Sequence, residues 1–131
     1  MIGVFDSGLG GLTALKELRS LMPNEDIVYF GDTARVPYGP RTPETIISYA
    51  KQDVSFLAEF NSRAILAACG TVSSTAMEAL GESFDTPIIG VVDATAKAAA
   101  EETKNGRIGI IGTAATIASR SYEKALGRLG E

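Results

Sequence analysis

Three stretches carry residues whose types and spacing could do chemistry. The first is "LAACGTVSS", Leu66 to Ser74, which holds the only cysteine and passes from an apolar run into glycine and hydroxyl residues. Cys69 therefore falls at the end of a buried strand, just ahead of a helix start. A helix N-terminus favours a thiolate over a thiol, as a nucleophile or a carbon-acid base requires. Free cysteine also packs readily as a small hydrophobe, so the residues alone leave both roles open. The chain has no histidine, which removes the usual Cys/His pair and any Cys/His zinc site. Chemistry at Cys69 would need the thiol itself as the base.

The second stretch, "DSGLGG" (Asp6 to Gly11), is glycine-rich and follows the first apolar run. Gly8, Gly10 and Thr13 do not complete a dinucleotide fingerprint, and Asp6 would repel a pyrophosphate. A carboxylate and the Ser7 hydroxyl suit an ammonium group better. The alternative is a tight turn in which helix amides satisfy Asp6. The third stretch, "GDTARVPYGPRTPE", is a loop of more than ten residues stiffened by Pro37, Pro40 and Pro43. It can present the Gly39 amide and the Tyr38 phenol over a strand edge, or close on itself through Tyr38 packing.

Positioning these residues falls to apolar, β-branched runs that alternate with segments of helical period, a βαβ pattern. Strands are expected at Ile2 to Phe5, Ile27 to Phe30, Ala64 to Ala68, Ile88 to Val92 and Ile108 to Ile111. Leu12, Leu15, Leu18 and Met22 form a stripe able to cover a sheet face. The next helix begins at "RTPE", with Thr42 as cap and Pro43 in its first turn, buries Ile46, Ala50, Val54 and Leu57, and stops at Asn61. A helix through Ala76, Met77 and Leu80 ends at Gly81, "ATAKAAAEETK" is a strong helix former, and "NG" at Asn105 and Gly106 turns the chain. One last helix carries Ile117, Ala125 and Leu129. The expected fold is α/β: an open, mostly parallel sheet of four to five strands with helices on both faces, three layers, flavodoxin-like or Rossmann-like. At its strand ends stand Asp6-Ser7, Asp32-Thr33, Cys69-Gly70-Thr71, Asp93-Ala94-Thr95 and Gly112-Thr113, the edge where such sheets bind ligands. Helix capping accounts for any one of them alone.

Composition narrows the classes. The chain has 131 residues, 45% hydrophobic content and a net charge of -4 with scattered basic residues, which fits one globular domain and argues against a nucleic-acid surface. Small-molecule partners are expected. A single cysteine forms no internal disulfide, the N-terminus lacks a basic leader, and no run has the length of a membrane span, so the expected location is cytoplasmic.

Taken together, "IGVFDSGLGGLTAL", "YFGDTARVPYGPRTPE", "AACGTVSS" and "IGIIGTAATIASRSY" resemble the glutamate racemases of the aspartate/glutamate racemase superfamily. The resemblance runs along the whole chain. It implies a cofactor-independent, metal-free racemase that makes D-glutamate for peptidoglycan with two cysteines on opposite faces of the α-carbon. By that resemblance Cys69 and Asp6 are catalytic, and Ser7, Pro37, Tyr38, Gly39, Gly70, Thr71, Thr113 and Thr116 bind substrate. Gly70 stands where the commonest motif has asparagine, so contacts there fall to backbone or water.

The chain ends at Glu131, ahead of the family's second cysteine, histidine and glutamate. On this reading residues 1–92 form the first lobe, while 93–131 begin the second lobe or add a fifth βα unit to the first sheet. Loss of the covering lobe would expose apolar surface near Val91, Val92 and the last helix, favouring a homodimer, and the chain alone is expected to be inactive. The competing readings are a non-catalytic amino-acid-binding module and an aspartate racemase. A phosphoacceptor receiver is disfavoured, since Cys69 occupies the place of its carboxylate.

Overall fold

The computed structural model describes residues 1–130. Ile2–Asp6 forms β1, and its five residues are all buried because strands pair with it on both sides. Ile27–Gly31 forms β2, Ala64–Ala67 β3 and Ile88–Gly90 β4, giving one sheet in the order β2-β1-β3-β4. Every pairing is parallel, with Phe5 opposite Phe30 and Ala67, and Ile65 opposite Ile88. These residues share one sheet face, where helix α2 (Pro43–Ala58), helix α3 (Gly70–Thr75) and helix α4 (Met77–Ser83) close the main core.

Helix α2 starts as its sequence dictates. The Thr42 side chain accepts from the Thr45 amide (3.3 Å), Pro43 needs no donor in the first turn, and Glu44 faces the positive end of the helix. Ile46, Ala50, Val54 and Leu57 are buried as expected, and Asp53 is buried with them. The helix ends at Ala58, three residues short of Asn61, which instead takes the left-handed conformation of the turn (φ 54°).

Several expectations need correction. Helix α1 (Leu12–Leu21) buries none of its residues: Leu15 and Leu18 are half-buried, while Leu12 is exposed, so its stripe covers the second sheet face only lightly. The helix expected to run through Ala76 to Gly81 is two helices. Thr71, Val72, Ser73, Ser74 and Thr75 are weak helix formers, the chain breaks at Ala76 (φ -113°, ψ -7°), and α4 continues past Gly81 to Ser83. Strand β4 stops at Gly90 because the Val91 amide turns to donate to Ser73 Oγ (3.1 Å), and Val92 already belongs to helix α5 (Val92–Glu102).

The largest correction concerns Ile108–Ile111, which is not a strand. A β-branched run supplies strand propensity but no ladder partner. Here it lies beside α5 and the last helix with Ile111 fully exposed, so among the described residues the sheet has four strands and 93–130 adds no fifth. The expected last helix is divided at Arg120 (φ 54°) into α6 (Ala114–Ser119) and α7 (Ser121–Leu129). Ala125 is buried, while Ile117 and Leu129 are exposed, in keeping with the apolar surface expected on the last helix. Val92, expected at an exposed surface, is buried with Ala96 and Ala125 in a second, small apolar cluster joined by Tyr122 and Leu126. No helix among the described residues is long and apolar enough to cross a membrane.

Candidate functional site

The carboxyl ends of β1 and β3 lie side by side, and the residues that follow them face one cleft of about 460 Å³. Asp6, Ser7, Cys69, Gly70, Thr71, Thr113 and Thr116 all line it. Cys69 caps α3: its backbone is extended (φ -100°, ψ 120°) and its sulfur accepts from the Val72 amide at 3.5 Å. An amide directed at the sulfur stabilises negative charge there. The thiol is only 4% exposed, and it donates to Ser7 Oγ at 3.4 Å across the gap between the two strand ends.

Asp6 shows how tightly the glycine turn is drawn. One of its oxygens, Oδ2, accepts from the Gly11 amide at 3.0 Å, so the capping alternative describes part of its role while the residue still lines the cleft. A Cβ on Gly11 would lie 2.8 Å from Asp6 Cβ and 3.0 Å from Ala68 Cβ; only glycine lets the turn come this close. Tyr29 donates to the Gly8 carbonyl (3.1 Å) and ties the turn to β2. Burial, followed by the charges of Asp6 and Cys69, raises its phenol pKa.

Across the cleft three threonines form a hydroxyl chain. Thr71 Oγ1 is 2.9 Å from Thr113 Oγ1, which is 3.0 Å from Thr116 Oγ1 and also accepts from the Thr116 amide (3.3 Å) as the cap of α6. Hydroxyls and amide dipoles so arranged suit an anionic group such as a carboxylate.

Pro37, Tyr38 and Gly39 do not line this cleft. Of the two alternatives for this loop, presentation of the phenol over the strand edge or closure through Tyr38 packing, the structure takes the second: Tyr38 is 1% exposed, its oxygen contacts Asp32 and lies 2.9 Å from Asp53 Oδ2, and its ring packs on Tyr49. An apolar ring next to an apolar helix face gains more from burial than from solvent, and the two carboxylates satisfy its hydroxyl. Burial first and these carboxylates second raise its pKa strongly, so it stays protonated.

Sequence reasoning missed this cluster, although a signal existed: Asp53 sits three residues after Ala50 and four before Leu57, on the apolar face of α2. It also missed Val36, Ile111 and Tyr122 in the cleft wall, for which tertiary folding is the only source. A second cavity of about 570 Å³ lies along β4 and α7 and is lined by Asp93 and Ala94 of the expected strand-end residues, with none of the residues that the resemblance makes catalytic or substrate-binding. Among the described residues no group of three or more His, Cys, Asp or Glu side chains is gathered as metal ligands.

Residues 13–130 match the family model described as Asp/Glu/Hydantoin racemase. The chain belongs to this racemase family. Among individual relatives it is 55% identical to a glutamate racemase of Hydrogenobaculum sp. over 125 residues, covering 95% of this chain and 48% of the relative. Of solved structures, glutamate racemase from Aquifex pyrophilus superposes with a TM-score of 0.95 at 45% identity, over 98% of this chain and 51% of that one. Glutamate racemase from Francisella tularensis in complex with D-glutamate superposes with a TM-score of 0.88 at 42% identity, over 97% and 47%. The chain thus spans about half the length of the relatives it matches, and within the racemase family its open parallel α/β sheet is the shared architecture.

Proposed function

We propose that this chain furnishes one half of a glutamate racemase active site, in which Cys69 exchanges the α-proton on one face of the substrate. The observation that carries the reading is the convergence of Cys69, Ser7, Asp6 and the three threonine hydroxyls on one cleft of about 460 Å³. An α-proton is poorly acidic, so its removal needs a thiolate held against the carbon and dipoles that accept the developing charge. In this reading the Cys69 thiolate takes the proton and becomes the thiol, the electron pair stays on the α-carbon, and a second thiol from the remainder of a longer protein protonates the opposite face. Asp6 and Ser7 receive the ammonium group, while Thr71, Thr113 and Thr116 hold the carboxylate. Pro37 and Gly39 contribute through backbone, and Tyr38 by shaping the loop.

Residues 1–92 then form the first lobe and 93–131 the opening of the second, which the separate small cluster around Val92 and Ala125 supports. The reaction needs no cofactor, supplies D-glutamate for peptidoglycan and takes place in the cytoplasm. Self-association as a homodimer belongs to the same reading; the exposure of Ile89 (58%) and Ile111 favours it, and sedimentation equilibrium tests it. Aspartate is the competing substrate, because the space around Gly70 is open and no side chain there selects the longer acid.

The test is α-proton exchange of D- and L-glutamate and of both aspartates in deuterated solvent, followed by proton NMR. The 131-residue chain is expected to give no measurable exchange, and a protein of the relatives' full length to racemise glutamate until Cys69→Ser removes the activity. Exchange by the short chain that Cys69→Ser abolishes would overturn the half-site assignment. Undiminished racemisation by the full-length variant would overturn the role of the thiol.

A further inference from the structure

Asp53 lies on a helix face that otherwise buries Ile46, Ala50, Val54 and Leu57, a position where a carboxylate is costly unless its lone pairs are used. They are used by one cluster. Arg35 Nη2 donates to Asp53 Oδ1 (2.9 Å), Arg35 Nε donates to Asp32 Oδ2 (2.6 Å), and Arg35 Nη1 donates to Gln52 Oε1 (2.8 Å). The guanidinium also lies 4.3 Å from the centre of the Tyr49 ring. The Tyr38 oxygen touches both carboxylates. A phenol has one proton and can serve only one carboxylate at a time, so Asp32 and Asp53 compete for it as acceptors.

The cluster reaches the cleft through one residue. Gly39 follows Tyr38, its carbonyl accepts from the Ala115 amide (3.2 Å), and a Cβ placed on it would lie 2.7 Å from Thr113 Cβ. Thr113 in turn sits between Thr71 and Thr116 in the hydroxyl chain.

We propose that Asp53, acting with Asp32 and Arg35, is a positioning residue that holds Tyr38 so that the Gly39 backbone fixes the threonine hydroxyls of the cleft. The inference rests on the racemase reading only in treating those hydroxyls as substrate contacts. Burial raises the Asp53 pKa to about 6, with Asp32 adding to the effect and Tyr38 and Arg35 opposing it. With no histidine in the chain, a transition there is not masked by another group of that ordinary range. The titratable and charged groups facing Asp53 are Asp32, Arg35 and Tyr38 from the loop, with Tyr49 on its own helix.

Amide exchange and backbone NMR of the 131-residue chain test the proposal without any substrate. In Asp53→Ala and Tyr38→Phe the Ala115 and Thr116 amides are expected to exchange roughly tenfold faster or more, while those of Ile65 in β3 and of Ala68, which donates to the Phe5 carbonyl, stay within about twofold. Asp53→Asn, which can still accept from Arg35 and donate to the phenol oxygen, is expected to restore protection. The Thr113 and Thr116 resonances should titrate with a midpoint of about 6 in the unmodified chain and not in Asp53→Asn. If Asp53→Ala does not fold, Tyr38→Phe, which keeps the ring, decides the matter. Unchanged Ala115 exchange in folded Tyr38→Phe, or a Thr113 titration that persists in Asp53→Asn, would overturn the proposal. Failure of a protein of the relatives' full length to racemise glutamate would count against the racemase reading and leave this measurement as it stands.

Discussion

Replacing Asp53 by asparagine changes how stability depends on pH, with a sign and size that follow from the cluster. Burial raises the Asp53 pKa from 3.8 to about 6 in the folded protein. Between those values the folded state holds a proton that the unfolded state has released. Stability from this group is therefore fully present below about pH 4 and is lost as pH rises through about 6. At about 1.4 kcal/mol per decade of proton concentration, the loss is about 3 kcal/mol. Asparagine keeps the acceptor for Arg35 and a donor for the Tyr38 oxygen but cannot ionise, so it escapes this loss. Urea unfolding followed by far-ultraviolet circular dichroism at several pH values between about 4 and 7 measures it. Relative to the unmodified chain, Asp53→Asn should gain about 3 kcal/mol across that range, since the carboxylates outside this cluster cancel in the difference. A difference that stays flat with pH, or that falls, would refute the reasoning.

Three further outcomes follow from the packing. Gly39→Ala places a Cβ 2.7 Å from that of Thr113, and the overlap should cost about 1–3 kcal/mol in urea unfolding. Thr113→Val removes the α6 cap and the central oxygen of the hydroxyl chain; unfolding should show a loss of about 0.5–2 kcal/mol, and racemisation by a full-length protein should fall with it. Ile111→Ser alters a fully exposed side chain, so its thermal midpoint should correspond to a change within about 0.5 kcal/mol.

Local chemistry made much of the molecule legible before folding was considered. Thr42 and Pro43 start α2 because a cap and a first-turn proline satisfy needs internal to the helix. Asn105 and Gly106 turn the chain for a similar reason: Asn105 Oδ1 accepts from the Arg107 amide (3.0 Å) and Gly106 takes a positive φ of 70°. The four paired strands were visible as β-branched runs, and the order of strand, helix and strand brought Asp6, Ser7 and Cys69 to one edge.

Other features depend on partners distant in the chain. Ile108–Ile111 has the composition of a strand but lies where no strand offers it hydrogen bonds, and composition carries no record of that. Tyr38 was equally suited to a cleft wall or a core; Asp32 and Asp53, brought beside it by the fold, give its hydroxyl buried partners and draw it inward. Sequence by itself determined the start of α2, the four paired strands and the edge at which chemistry gathers, because those follow from nearest neighbours and periodicity. Only tertiary structure decided which way Tyr38 turns and that Ile108–Ile111 forms no strand, because burial and hydrogen bonding are settled by residues distant in the chain.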